Sequence, residues 1–130
     1  MSDARMKTTV FCERRKFPRS FLDLPLEYRM IGIPHTQGGI AVNGSEAGLL
    51  LHSLRDMPVG TKLDVAVLFP NGYELSSFKV LAEIVWRGQR RLGQIGNNYG
   101  LKLLRISEED QSRLRYVLDD LHEFGWRYNL

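Results

Sequence analysis

Apolar and polar residues alternate along much of this chain. Between Leu22 and Met30, residues Leu22, Leu24, Leu26, Tyr28 and Met30 fall on one side, and Asp23, Pro25, Glu27 and Arg29 on the other. A period of two marks a half-buried strand. Pro25 lacks a ladder donor, which predicts that this strand lies at an edge or begins irregularly. "GIPHTQGG" reads as a turn region and "IAV" as a short strand after it. Alternation returns in "TKLDVAVLF", which groups Leu63, Val65, Val67 and Phe69. A long partner strand places Phe78, Val80, Ala82, Ile84 and Trp86 on a common face, and "PNG" between the two is a hairpin signal. "GQRRLGQIGNN" turns the chain again, and "YGLKLL" supplies a last strand.

At Ser107 the period changes. "SEED" offers a serine N-cap with acidic residues in the first turn, although Asp110 stands where a capping box has Glu or Gln. Leu114, Val117, Leu118 and Leu121 then recur at helical spacing, and Gly125 stands where a C-terminal cap belongs. Five to seven short, mostly antiparallel strands followed by one amphipathic helix predict a small closed or nearly closed barrel with the helix packed on it.

With 130 residues, 43% of them hydrophobic, the chain is long and apolar enough for one domain with a real core. The single cysteine, Cys12, excludes an internal disulfide and a cysteine metal cluster, and agrees with a reducing compartment. No apolar run approaches the roughly 20 residues that span a bilayer. "MSDARMKTTV" lacks the apolar core of a secretory signal, so a cytoplasmic location is expected. His35, His52 and His122 have no metal-ligand spacing, and no Ser–His–Asp or Cys–His arrangement stands out. No catalytic residue, metal or cofactor is therefore nominated, and the expectation is a protein that is not an enzyme.

Charge is unevenly distributed along the chain. The net charge of +3 is modest for a generic nucleic-acid binder. Yet "CERRKFPRS" packs Arg14, Arg15, Lys16 and Arg19 into one short stretch, while acidic residues gather toward the C-terminus. Pro18 and the absence of a helical pattern make this stretch a loop. Arginines there can fork onto planar acceptors, matching phosphate oxygens and the O6 and N7 edge of guanine alike. "NGSEAG", residues 43–48, is dense in turn formers between two apolar runs and reads as a tight connection between strands.

"RKFPR" followed by "NGSEAG" resembles the paired RxxxR and (D/N)xSxxG motifs of the PilZ domain family. Glu13 and Arg14 complete an ERRxxxR form, and "YGLKLLRISEED" is similar to the family's last strand and helix entry. The resemblance implies a mainly β fold, a six-stranded antiparallel PilZ-type barrel with a C-terminal α-helix. It implies a flexible segment over 1–12, the domain over 13–124 with its helix from about 107, and a tail over 125–130. It also implies a receptor for the bacterial second messenger cyclic di-GMP, acting by ordering its N-terminal loop.

In that reading Arg15 and Arg19 contact phosphates and guanine edges, Asn43 and Ser45 hydrogen-bond a guanine, and Gly48 keeps the turn tight against base or backbone angle. Arg14 points to two mutually intercalated ligand molecules, since a third arginine helps offset four phosphates. Trp86 stands where relatives often place an aromatic against a guanine; barrel core is its other reading. The expected partners are cyclic di-GMP and an unknown downstream protein. A nucleotide-independent interaction module of the same fold is the alternative. An RNA or single-stranded DNA binder is disfavoured because Phe17 is the sole aromatic among the loop's cations. Trp126, Tyr128 and Leu130 are costly to expose, so the tail is expected to fold back or meet a partner.

Overall fold

A computed structural model describes residues 20–88, 93 and 95–121. Six strands appear in it: β1 Ser20–Met30, β2 Gln37–Gly44, β3 Gly48–Ser53, β4 Lys62–Asn71, β5 Glu74–Arg87 and β6 Asn97–Arg105. Helix α1, Glu108–Tyr116, follows and runs into a π-helical turn, Val117–Leu121. The strands close into an antiparallel barrel in the order β1-β2-β3-β6-β5-β4.

Alternation along each strand fills the barrel. Leu26, Tyr28, Leu63, Val65, Val67 and Phe69 are buried, as are Phe78, Val80, Ala82 and Ile84. Leu22, Leu24 and Met30 pack against them from the barrel rim. Pro25 has a specific place in this ladder. β1 pairs with β2 along its length, but its pairing with β4 begins only at Leu26. The proline's missing N–H therefore falls just outside the second ladder, beside an irregularity between Phe21 and Leu24 where Asp23 adopts a φ of 54°. The expected irregular start is present.

β2 is longer than the sequence pattern predicts. Gln37, Gly38 and Gly39 pair with Tyr28, Glu27 and Leu26, so of the expected turn region only residues 32–36 connect strands. Glycines weaken the strand signal, yet Gly39 belongs there. A Cβ on it would stand 2.8 Å from the Leu51 side chain and 2.9 Å from the His52 carbonyl oxygen. At the β4–β5 hairpin, Asn71 pairs with Glu74, and the loop is Gly72–Tyr73 with Gly72 at a φ of 67°. A glycine with positive φ at the first loop position gives the twist that a two-residue hairpin needs.

The two ends of the barrel are sealed differently. At one, α1 and the turn after it bury Leu114, Val117 and Leu118, and the Tyr116 ring meets Phe69 with centroids 5.8 Å apart. Ser107 caps α1 as expected: its Oγ accepts from the Asp110 N–H at 3.0 Å and donates to the Asp110 carboxylate at 2.9 Å. The side chain of Leu121 lies outside the described residues, as do Gly125 and the 122–130 tail. At the other end Met57 is buried as a plug. Its N–H donates to the Tyr99 hydroxyl at 2.9 Å, and that hydroxyl donates to the Arg55 carbonyl at 2.7 Å. No helix among the described residues is long and apolar enough to cross a membrane.

Two consequences concern stability. Tyr28, fully buried, shares a hydrogen bond of 2.6 Å with Ser53 Oγ. Burial raises its pKa above the ordinary value of 10.0, with the Ser53 bond opposing. The unfolded chain ionises this phenol near its ordinary value while the fold keeps it neutral. Its stabilising contribution is therefore complete below about pH 10 and is lost as pH rises further. Tyr28→Phe is expected to lower stability by about 1 kcal/mol at neutral pH. In urea titrations it should also lose less stability than the parent on going from about pH 9 to pH 11. Gly48, at the start of β3, has no room for a side chain: a Cβ would come within 2.4 Å of the Leu101 carbonyl oxygen on β6. Gly48→Ala should cost roughly 1–3 kcal/mol by overpacking. Gly38→Ala, with nothing within 4 Å, should not share that overpacking cost in the same thermal unfolding measurement.

Candidate functional site

Cross-strand register assembles a strip on the outside of the barrel. Phe21 pairs with Asn43, Asn43 with Leu50, Leu50 with Gly100, and Gly100 with Trp86. Partners in a register share a face, so this lateral row crosses β1, β2, β3, β6 and β5 on the solvent side. From Asn43 to Trp86 it covers three strand spacings, about 14 Å.

Two irregularities turn these residues outward. The β2–β3 ladder shifts between Ala41 and Asn43, which leaves Ala41 in the core and Asn43 half-buried on the outer face. The β5–β6 ladder shifts between Ile84 and Trp86. Ile84 is fully buried, whereas Trp86 is 50% exposed. The expectation of a common face for Phe78 to Trp86 therefore fails at its last member, because the extra residue at the shift inverts the alternation. Core is excluded as the role of Trp86. Its indole lies along Gly100 instead, where a Cβ would stand 3.1 Å from the ring. The absence of a side chain at Gly100 is what lets the ring lie flat on β6.

The "NGSEAG" segment closes tightly at one end of this strip. Ser45 is buried, its N–H donates to the Gly48 carbonyl at 2.9 Å, and its Oγ accepts from the Ala47 N–H at 3.1 Å. In the described state the serine shapes its own turn. Gly48 is required by the close approach of Leu101 on β6 and not by its backbone angle, since its φ lies outside the left-handed region. Two bonds tie the turn to the end of the barrel that carries the helix. The Leu103 N–H donates to the Ala47 carbonyl at 3.0 Å, and Arg115 Nε lies 3.2 Å from the Glu46 carboxylate.

Other candidates are placed away from chemistry. His52 Nδ1 sits 2.9 Å from the Asn98 side-chain oxygen, a contact that joins β3 to β6. Arg87 ends β5, pairs with Asp56, and holds its guanidinium 5.9 Å from the Tyr99 ring centroid. It is a fastened strand end. Arg90 and Arg91 lie outside the described residues, as do Cys12, Arg14, Arg15, Lys16, Phe17 and Arg19. The chain nonetheless enters the fold at Ser20, whose partner is Gly44, so the residue after Arg19 adjoins the motif.

Leu50, Gly100 and Phe21 complete the strip and were not singled out from the sequence. Gly100 carried the one available signal, an isolated glycine inside a strand pattern, which marks a close approach.

Comparisons agree with this architecture. The family model described as PilZ domain matches residues 13–119. The PilZ domain of YcgR from Escherichia coli, solved with c-di-GMP, superposes with a TM-score of 0.69 at 13% identity, covering 89% of this chain and 96% of that one. The Bacillus subtilis inhibitor of motility MotI/DgrA gives 0.66 at 16% identity over 80% of this chain, which spans 49% of that protein. A tetrameric PilZ protein from Xanthomonas campestris gives 0.51 at 23% identity, with 69% and 47% covered. No curated protein matches in sequence. The matched span takes in both motifs, all six strands and the entry to the helix, and the chain belongs to the PilZ domain family.

Proposed function

We propose that this domain is a non-enzymatic receptor for cyclic di-GMP, with the row from Asn43 to Trp86 as the floor of its site. One observation carries the reading: register places the motif asparagine and an exposed tryptophan on one outer strip, next to the point where the arginine-rich segment joins the fold. Membership of a family that binds this nucleotide supports it, as does the likeness in fold to a domain solved with it.

The chemistry of the strip suits a purine dinucleotide. Leu50 and Gly100 form a low, apolar floor on which a flat base can lie, and the Trp86 indole offers a π-face for stacking. Asn43 supplies an amide to a guanine edge at the opposite end. Aspartate there would give a charge-assisted bond, so asparagine is the weaker partner of the two. Arg15 and Arg19 supply the guanidinium forks for phosphates and the O6 and N7 edge. Arg14 adds a third positive charge, which suits two intercalated ligand molecules. Ser45 and Gly48 act mainly by holding the turn that presents Asn43.

The switch follows from charge. Without ligand, Arg14, Arg15, Lys16 and Arg19 repel one another; a bound phosphodiester neutralises them and draws the segment across the strip. The ligand favours that arrangement only by the difference in its affinity for the two. The altered surface is then offered to a downstream protein.

Calorimetric titration of the full chain with cyclic di-GMP tests this. Micromolar or tighter binding is expected, weakened at least about a hundredfold in an Arg15→Ala, Arg19→Ala double variant that loses two charge-assisted contacts. A molar ratio of two that drops to one in Arg14→Ala would support the intercalated pair. Absence of heat and of chemical-shift change at high ligand would sink the receptor reading and favour the nucleotide-independent module. Trp86→Ala should weaken binding by about tenfold, the worth of one base stack. Its thermal midpoint should stay close to that of the parent, because half of the side chain is already in solvent.

A further inference from the structure

Barrel closure stops short of the β4–β5 hairpin. β1 pairs with β4 only as far as Val67, and β6 pairs with β5 only from Leu81. Residues 68–80 therefore form a two-stranded arm beyond the ladders on either side. The inner face of the arm is covered. Phe69 and Phe78 are buried there, and the Tyr116 ring of α1 lies against Phe69.

The two edges of the arm differ. The Ile84 N–H bonds toward the β4 side, to the Thr61 carbonyl at 2.9 Å, and alternate residues back to Glu74 share that direction along an unbroken register. Leu75, Ser77 and Lys79 therefore turn their N–H and C=O groups the other way. Among the described residues no hydrogen bond reaches any of these groups. On β4 the matching edge beyond Val67 carries Pro70, which has no N–H and blunts it. No proline protects the β5 edge. Leu75 is 70% exposed, Lys79 is exposed, and Tyr73 at the tip stands wholly in solvent.

We propose that this edge pairs with the same edge of a second copy of the chain, antiparallel about a two-fold axis at Ser77. An edge of free donors and acceptors is recognised by another extended strand. Its own twin fits, because a two-fold axis sets equal edges against each other in opposite directions. Ser77 is the centre that uses all three residues: Ser77 meets Ser77 of the second copy, and Leu75 meets its Lys79. Six backbone hydrogen bonds result, the serine hydroxyls face each other, and no like charges stand opposite. In the same register Tyr73 falls opposite Leu81 of the second copy, beside an Arg105 that has no ion-pair partner among the described residues. A tyrosine face there can take up the guanidinium. The arm is far along β5 from Trp86, so this contact is separate from the strip proposed for the nucleotide and does not need it.

Sedimentation of the full chain over a range of concentrations, without nucleotide, tests this. A dimer that dissociates on dilution is expected, since so short a ladder falls below the roughly 1,200 Å² of a stable interface. Ser77→Pro removes the central N–H from both copies and should weaken the dimer at least about tenfold. That N–H faces away from β4, so the arm keeps its own ladder, and far-UV circular dichroism checks the fold. Leu75→Lys, at an exposed site, sets lysine against lysine at both symmetric pairs and should weaken the dimer by about tenfold. Adding Lys79→Glu to it should restore the dimer, an outcome specific to Leu75 standing opposite Lys79. The proposal fails if the parent chain stays monomeric up to about 1 mM. It also fails if the dimer forms equally well in Ser77→Pro and Leu75→Lys, because another surface then holds it. Titration of Ser77→Pro with cyclic di-GMP reports on the receptor reading separately and is expected to match the parent.

Discussion

β1 is used twice. Along its length it hydrogen-bonds β2, and from Leu26 onward it also hydrogen-bonds β4, which turns an open six-stranded sheet into a barrel. Closure removes the exposed edges that an open sheet would have to protect. It also sets the inside and outside of every other strand, since side chains alternate along a ladder whose register is now pinned from both sides. Pro25 marks where the second ladder starts, and the irregularity before it lets the first residues of β1 follow β2 alone. Those residues deliver the chain to the strip beside Asn43.

The candidate site depends on two departures from regular pairing. Without the shift near Val42, Asn43 would follow the alternation set by Ala41 and point inward; without the shift near Val85, Trp86 would follow Ile84 into the core. Bulges re-aim side chains in this way at little cost to the ladder, and both occur where a polar or aromatic residue is presented outward. Gly100 and Gly48 serve the same surface for a different reason: each is a place where a neighbour lies too close for a Cβ, the indole at one and the Leu101 carbonyl at the other.

The helix end and the motif turn form one body. Ala47 accepts from Leu103 just before α1 begins, and Glu46 pairs with Arg115 within α1. The ion pair is partly exposed and worth little by itself. The backbone bond and the filled space at Gly48 hold the turn more firmly. The turn is therefore a segment already fastened to the C-terminal helix, while the loop end of the barrel is sealed independently by Met57 and Tyr99.

Much of this was legible in the chain. Alternation at 22–30, 62–69 and 78–84 reports burial directly, because one side of each strand must be apolar to fill the barrel. The Ser107 cap is a local device that needs no tertiary contact to be recognised. The motif residues Asn43, Ser45 and Gly48 were also readable, and their neighbours show what two of them do in the turn itself. Ser45 closes its own turn, and Gly48 answers to β6. The glycine-bearing start of β2 was missed because local propensity argues against a strand there, and only β1 supplies the partners that make it one. The outward turn of Trp86 could not be read from a period of two, since a one-residue shift reverses the face and leaves no mark in the pattern. Sequence alone determined the strand periods, the motif pair and the helix cap, which are encoded by neighbours in the chain. Tertiary structure decided which residues share the outer strip, because register is a relation between strands far apart in sequence and is settled by closure of the barrel.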